Sequence, residues 1–302
     1  MSTSRIPAPR ISSRREFLQK VSTGLAAGLV LKGLPAAGLA QEAAGLAQED
    51  VWKLRLSTSS IHYLHLPIEQ ACQRIAKLGY EAIDIWSAHA GCPHLDDVAK
   101  RLGAEGLKQV LEANRLKLFA FSVYAGGYPK YAELLGQMGG GVAIQGSAGP
   151  CAPAELTTRM RSFLESLKPQ VELAEKYNSY LAIENHGHAL LDSLDSFKAF
   201  VELNRSPRLG LALAPYHLQA AKVSVEDTIG VCGQQLFFFY AWQLADGAQQ
   251  LPGHGPTDFK PWVAALAKAK YRWYVNPFMH GDIEPDAMSE ALAKSREYLQ
   301  RG

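Results

Sequence analysis

Tyr180-Leu-Ala-Ile-Glu184-Asn-His-Gly187 is a short apolar run that ends on a carboxylate, an amide and an imidazole before a glycine. So brief a run reads as a buried strand, and its polar end reads as the point where the chain leaves the core. The same plan recurs downstream in Leu209-Gly-Leu-Ala-Leu-Ala214 with Pro-Tyr-His217 after it. Leu236-Phe-Phe-Phe-Tyr-Ala-Trp-Gln243, running into Leu-Ala-Asp246-Gly, and Arg272-Trp-Tyr-Val-Asn276, running into Pro-Phe278, repeat it twice more. Helical spacing over 193–204, 217–232, 259–270 and 285–300 separates and follows these runs. Strands that alternate with helices in this way build a parallel sheet through crossover connections.

Upstream, Lys53-Leu-Arg-Leu-Ser57 is the first expected strand. A helix then opens at Pro67 and carries Ile68, Ala71, Cys72, Ile75 and Leu78 on one face up to Gly79. Tyr80 to Trp86 and Leu116 to Tyr124 are expected as strands two and three, with a helix over 95–114 between them. The fourth strand is expected within Gly139-Gly-Gly-Val-Ala-Ile-Gln145, followed by a helix over 153–177 that Pro169 kinks. Eight strands close a barrel, so the predicted fold is α/β, a single (β/α)8 TIM barrel over residues 51–302. Its length suits the roughly 250 residues such barrels use. An open doubly wound sheet would want a glycine-rich phosphate turn after strand one, and Thr58-Ser-Ser-Ile-His62 is not one.

Composition narrows the function classes. Apolar residues make up 47% of the chain and charged residues 20%, values that supply a full core and exclude a disordered chain. Residues 1–40 carry six basic side chains against Glu16, a net of +5, which takes the formal +2 of the chain to −3 for the remainder. A mildly acidic domain gives no support for nucleic-acid binding. Cys72, Cys92, Cys151 and Cys232 are widely spaced and form no CxxC pair, which leaves buried free thiols or an oxidised pair as the alternatives.

The first forty residues resemble a twin-arginine (Tat) signal peptide: Ser13-Arg-Arg-Glu-Phe-Leu-Gln-Lys20, a weakly apolar Gly/Ala-rich run from Val21 to Leu34, then Pro35-Ala-Ala-Gly-Leu-Ala40. A membrane anchor is the competing reading, but Lys32 and Pro35 interrupt the run short of the roughly 20 apolar residues that a spanning helix needs. The resemblance implies engagement of the Tat export machinery and a periplasmic or extracellular location for a protein that is not integral to the membrane. Residues 41–50 read as a short linker.

The reacting groups of such barrels come from the C-terminal ends of the strands, and there the chain resembles the xylose isomerase-like superfamily of sugar isomerases and epimerases. The resemblance covers nearly all of 53–300. It implies a glutamate on strand five, an Asp-x-x-His on strand six, a histidine with an acid three residues later on strand seven, and a glutamate, often before Pro-Phe, on strand eight. Four of these groups hold one divalent ion in the family. Glu184 matches the first glutamate and His217 the strand-six histidine, while Ala214, Gln243 and Asn276 stand where the other three ligands belong. Asp246 keeps the later acid, and Gly253-His-Gly255-Pro-Thr-Asp258-Phe resembles the stretch before the family's seventh helix. One full charge with two amides and an alanine is too little for a Mn- or Mg-type site, so no cofactor is expected and the family's metal position is read as substituted. Glu184, His186 and His217 rebuilt as a zinc site remain the alternative.

These readings give an exported carbohydrate isomerase- or epimerase-like protein, or a lyase, with Glu184 and His217 as the candidate catalytic pair. Candidate substrate contacts are His62, Trp86, His94, His186, Tyr216, Gln243, Asp246, His254 and Asn276, a set of hydrogen-bonding groups and apolar ring faces that suits a small-molecule carbohydrate. Asp84 and Asp246 are the candidate acid or base partners of Glu184. A carbohydrate-binding protein that kept the pocket and lost turnover is the second reading. Gly38 and Ala40 supply the small residues of a signal cleavage site, so N-terminal sequencing of exported protein is expected to begin at Gln41, with cleavage after Ala47 as the second choice; an intact Met1 would contradict the signal.

Overall fold

The computed structural model describes residues 52–301; the expected signal peptide and linker lie outside the described residues. Eight strands pair in parallel and in sequence order: β1 (Ser57–Ser59), β2 (Ala82–Trp86), β3 (Lys117–Ser122), β4 (Val142–Gly146), β5 (Tyr180–Glu184), β6 (Leu209–Leu213), β7 (Leu236–Ala241) and β8 (Val275–Pro277). A parallel bridge between Leu56 and Val275 joins the last strand to the first. The predicted (β/α)8 barrel is therefore the fold.

Alternation along the strands separates two cores. Ala82, Trp86, Ala120, Ile144, Ala182, Ala212, Phe238 and Tyr240 pack inside the barrel. Ile83, Ile85, Phe121, Leu181, Ile183, Leu211, Leu213 and Phe239 face the helices. The interior balances bulk against smallness: alanines on β5 and β6 leave room for the rings of β7, and Phe119 stacks on Phe238 with centroids 4.9 Å apart. The pairing register skips Phe119 on β3 and Phe237 on β7, two bulges that each turn a pair of consecutive residues into the interior.

The outer layer comprises α1 (Ile68–Lys77), α2 (His94–Asp97), α3 (Gly103–Ala113), α4 (Tyr128–Gln137), α5 (Leu156–Ser166), α6 (Lys168–Lys176), α7 (Leu194–Leu203), α8 (Pro215–Ala220), α9 (Val225–Cys232), α10 (Lys260–Lys268) and α11 (Pro285–Gln300). On α1 the expected face is the buried one, with Ile68, Ala71, Cys72 and Ile75 inward. Three expectations need correction. The helix over 153–177 is two, because Pro169 falls in the first turn of α6 and cannot donate into a continuous ladder. The span 217–232 is likewise divided, between α8 and α9. Helix α4 was not expected, although Tyr128, Tyr131, Ala132 and Leu135 bury its inner face at helical spacing. All four cysteines are free, and Cys72, Cys92 and Cys232 are buried. Among the described residues no helix is long and apolar enough to cross a membrane.

The seam between β8 and β1 is thin, and side chains reinforce it. Both strands are shorter and lie later in the chain than expected. The Val275 amide donates to the Arg55 carbonyl at 2.9 Å, Thr58 Oγ1 donates to the Pro277 carbonyl at 3.1 Å, and Asn276 Nδ2 donates to Ser59 Oγ at 2.8 Å. At the β7 bulge, a methyl group at Gly210 would lie 2.5 Å from the Gln235 carbonyl oxygen and 2.6 Å from the Phe237 ring. Gly210→Ala is accordingly expected to cost about 1–3 kcal/mol by forcing β6 from β7, seen as a lower melting temperature; an unchanged melt would show that the bulge tolerates the added carbon.

Candidate active site

A cavity of about 600 Å³ opens at the C-terminal ends of the strands. Trp86 and Tyr124 from the β2 and β3 ends, Glu184 and His186 from β5, Tyr216 and His217 from the start of α8, Trp242 and Asp246 after β7, and Phe278 and His280 after β8 line it. An outer groove of about 670 Å³ between Leu66, Pro67 and Arg101 lies away from these strand ends, and its Arg101 is engaged with Glu69 and Asp97. The barrel mouth is where polar groups converge.

Glu184 ends β5 on its inward side and is only partly exposed. Its Oε2 accepts from the Tyr124 hydroxyl at 2.5 Å, and the Tyr124 and Tyr240 hydroxyls lie 3.1 Å apart. Burial pushes the Glu184 carboxyl up to about 7 against the opposing pull of the Tyr124 hydrogen bond, with the Asp84 charge adding to the rise. Asp84 points into the barrel one layer below, fully buried, and burial likewise pushes it up to about 7 although Ser59, Ser122 and Trp86 all donate to it.

His217 packs against His186 at 4.0 Å between ring centroids and meets Trp242 edge-on at 5.2 Å. Burial, with His186 and His280 nearby, brings it down to about 4, so at neutral pH its ring is uncharged, able to donate from one nitrogen and accept at the other. The recorded hydrogen bond of Glu184 goes to Tyr124, and His217 shares the cavity without bonding to Glu184. Two aromatic pairs form the walls, Trp86 stacked on Phe278 at 5.3 Å and 13°, and Tyr216 on Trp242 at 4.4 Å and 16°.

Of the expected substrate contacts, Trp86, His186, Tyr216 and Asp246 line this cavity; His62, His94, Gln243, His254 and Asn276 do not. Each of the five makes its side-chain hydrogen bonds within the protein. The Met279 amide donates to His62 Nε2 at 3.3 Å and Thr58 Oγ1 lies 3.1 Å from Nδ1, while burial drives that imidazole down to about 3. His94 is held between the Leu66 carbonyl and the Cys92 thiol, at 2.8 and 3.3 Å. Gln243 braces the loop after β7, giving its amide to the Leu251 carbonyl and accepting from the Thr257 amide. His254 ties the same loop to the Ala291 carbonyl of α11 at 2.9 Å, and Asn276 belongs to the seam. Tyr124 was not singled out as a partner of Glu184, nor Tyr240 behind it; the signals were the inward alternations Ala120, Ser122, Tyr124 from β3 and Phe238, Tyr240, Trp242 from β7.

The family's divalent ion does not fit these residues. Ala214 offers no side-chain donor, and the Gln243 and Asn276 amides are committed to the loop and the seam. Among the described residues no three His, Cys, Asp or Glu side chains are grouped to hold a metal, the Glu184, His186 and His217 set included.

No curated protein sequence matches the chain. Among solved structures it resembles the 3-keto-D-glucoside 4-epimerase YcjR of E. coli at 14% identity, covering 81% of this chain and 100% of that one with a TM-score of 0.62. It also resembles the probable 3-DHS dehydratase AsbF of Bacillus anthracis, at 15% identity over 82% and 100% of the two chains with a TM-score of 0.64. The D-psicose 3-epimerase of Clostridium cellulolyticum H10, in a structure with D-tagatose, is a third, at 14% identity over 82% and 99% with a TM-score of 0.62. Identities this low speak to the fold alone. Membership rests on the family's sequence profile, which matches residues 72–300, and the chain thus belongs to the xylose isomerase-like TIM barrel family.

Proposed function

We propose that this protein transforms a small carbohydrate, a sugar, polyol or keto-sugar, by isomerase-, epimerase- or lyase-type proton transfer that requires no divalent ion. The observation that carries the proposal is Glu184, a raised carboxyl group that faces a ring-walled cavity at the barrel mouth and is oriented by a tyrosine hydroxyl. Family relatives named as epimerases of keto-sugars and of a 3-keto-glucoside support the substrate class. A carboxyl group held near 7 can exchange a proton in either direction at neutral pH.

In the proposed step Glu184 as carboxylate removes a proton from the carbon beside a carbonyl, and the electron pair moves onto the carbonyl oxygen. Tyr216 and Trp242 present ring faces to the C–H face of the sugar, and neutral His217 supplies a hydrogen bond to a hydroxyl or to the developing oxyanion. With Asn276 in place of the second family carboxylate and turned into the seam, one base returns the proton to the face it came from. That suits isomerisation or elimination better than inversion by two bases. Export is a further part of the proposal, supported by the Ser13-Arg-Arg-Glu-Phe-Leu sequence and the run that follows it.

Solvent deuterium exchange into D-psicose, D-fructose, D-tagatose and keto-inositols tests the reading. Exchange is expected in at least one of these, unaffected by chelator, and about a hundredfold slower or worse in Glu184→Gln. Because the ionised form is the base and burial raises its carboxyl to about 7, the exchange rate is expected to fall as the pH is lowered from 7 to 5. Thermal stabilisation by these sugars without exchange, or exchange lost on chelation and restored by manganese, would defeat the proposal.

A further inference from the structure

Beneath the cavity a chain of hydroxyl groups runs from one carboxyl group to the other. Ser122 Oγ donates to Asp84 at 3.0 Å, Ser122 Oγ and Tyr240 OH lie 3.4 Å apart, Tyr240 OH and Tyr124 OH 3.1 Å apart, and Tyr124 OH donates to Glu184 at 2.5 Å. Each hydroxyl owns one proton and can give it to a single neighbour. Four links therefore share three hydroxyl protons. With both carboxyl groups ionised, one link must set two lone pairs against each other; with one of them protonated, every link is filled.

The surroundings offer no relief. Ser59 Oγ already gives its proton to Asp84 at 2.8 Å and accepts from Asn276 Nδ2, and Trp86 Nε1 donates to Asp84 at 2.6 Å. Among the described residues no lysine, arginine or histidine hydrogen-bonds either carboxyl group, and the titratable neighbours of Asp84 are Cys92, Tyr240 and Glu184. A buried carboxylate without a cation is costly.

We infer that Asp84 and Glu184 hold one proton between them, relayed through Ser122, Tyr240 and Tyr124, with Asp84 as a positioning residue that never meets the substrate. In one arrangement Asp84 is protonated and every hydroxyl points toward the Glu184 carboxylate. In the other Glu184 is protonated and every hydroxyl points toward Asp84. Passing from one to the other moves one proton across each link, leaves the total charge unchanged and consumes nothing. Glu184 can thus meet the cavity as base or as acid without drawing a proton from solvent. Burial, which favours the neutral form of both groups, works in the same direction.

Infrared spectroscopy of the exported protein in D2O at neutral pH reads the state directly, since surface carboxyl groups are then ionised and a neutral acid carbonyl stretch reports a buried proton. One such group is expected in the wild type. Asp84→Asn lets an amide donate into the chain, which aligns toward an ionised Glu184, so the band disappears. Glu184→Gln aligns the chain the other way and also removes it. Tyr240→Phe cuts the chain, leaves each carboxylate its own hydroxyl donor, and is expected to abolish the band as well. A wild type with no band, or with two, overturns the inference. So does a band that survives any of the three substitutions, because the proton then belongs to one acid by burial alone. Should Asp84→Asn fail to fold, the other two variants still decide: an acid protonated by burial keeps its band in Glu184→Gln if it is Asp84 and in Tyr240→Phe if it is Glu184. The result does not depend on whether the protein turns over a sugar.

Discussion

Closing eight short strands into one barrel imposes a period of two on all of them at once, and the rest of this molecule follows from that constraint. Residues on alternate sides of a strand belong to different cores, so the polar groups that turn inward have only one another for partners. Asp84, Ser122, Glu184, Tyr240 and Asn276 come from five different strands and meet in the same interior. Packing around them is tight because bulk is unevenly divided, with phenylalanine and tyrosine on β7 set against alanines on β5 and β6. Phe119, Phe238 and Tyr274 fill the interior, and the polar layer sits under the mouth.

Ala214, Gln243 and Asn276, the residues that the sequence resemblance sets at ligand positions, do structural work. Asn276 stitches the thinnest seam of the barrel, where a single backbone bridge joins β8 to β1. Gln243 bonds Leu251 and Thr257 in the loop that carries Asp246 and so braces one rim of the cavity, wedged so close to Gly255 that a side chain there would meet it at 2.7 Å. Ala214 closes β6 as an apolar member of the interior. Gln243 holds backbone, Asn276 holds the serine side chains of β1, Ala214 packs in the interior, and Glu184 faces the cavity. Its environment, a tyrosine hydroxyl and stacked rings, differs in kind from a cage of hard oxygen donors.

The architecture was legible from strand runs and helix spacing because both periodicities are strong here: β5 and α11 fall at the expected residues. Strands β1 and β8 were harder to bound, since three-residue strands are defined by pairing partners and not by their own composition. Helix α4 follows Gly126-Gly127 and carries Pro129 in its first turn, where proline is tolerated, so residue types common in turns surround its start. For the site, strand-end position identified Glu184, His186 and His217 as neighbours, but it could not tell a histidine facing the cavity from one turned into the loop beneath. His62, His94 and His254 are of the second kind because backbone amides and carbonyls, invisible to a pattern of side chains, claim their nitrogens. The chain from Asp84 to Glu184 has the same origin, for it joins residues 38, 118, 116 and 60 positions apart in sequence.

A crystal structure of the protein soaked with D-psicose and a manganese salt tests the central claim most directly. The account predicts the sugar at the barrel mouth, a hydroxyl or carbonyl within hydrogen-bonding distance of the Glu184 carboxyl, a ring face against Tyr216 or Trp242, and no anomalous peak for manganese beside Glu184. A manganese ion bridging Glu184 and the sugar, or a sugar bound away from this cavity, would contradict it.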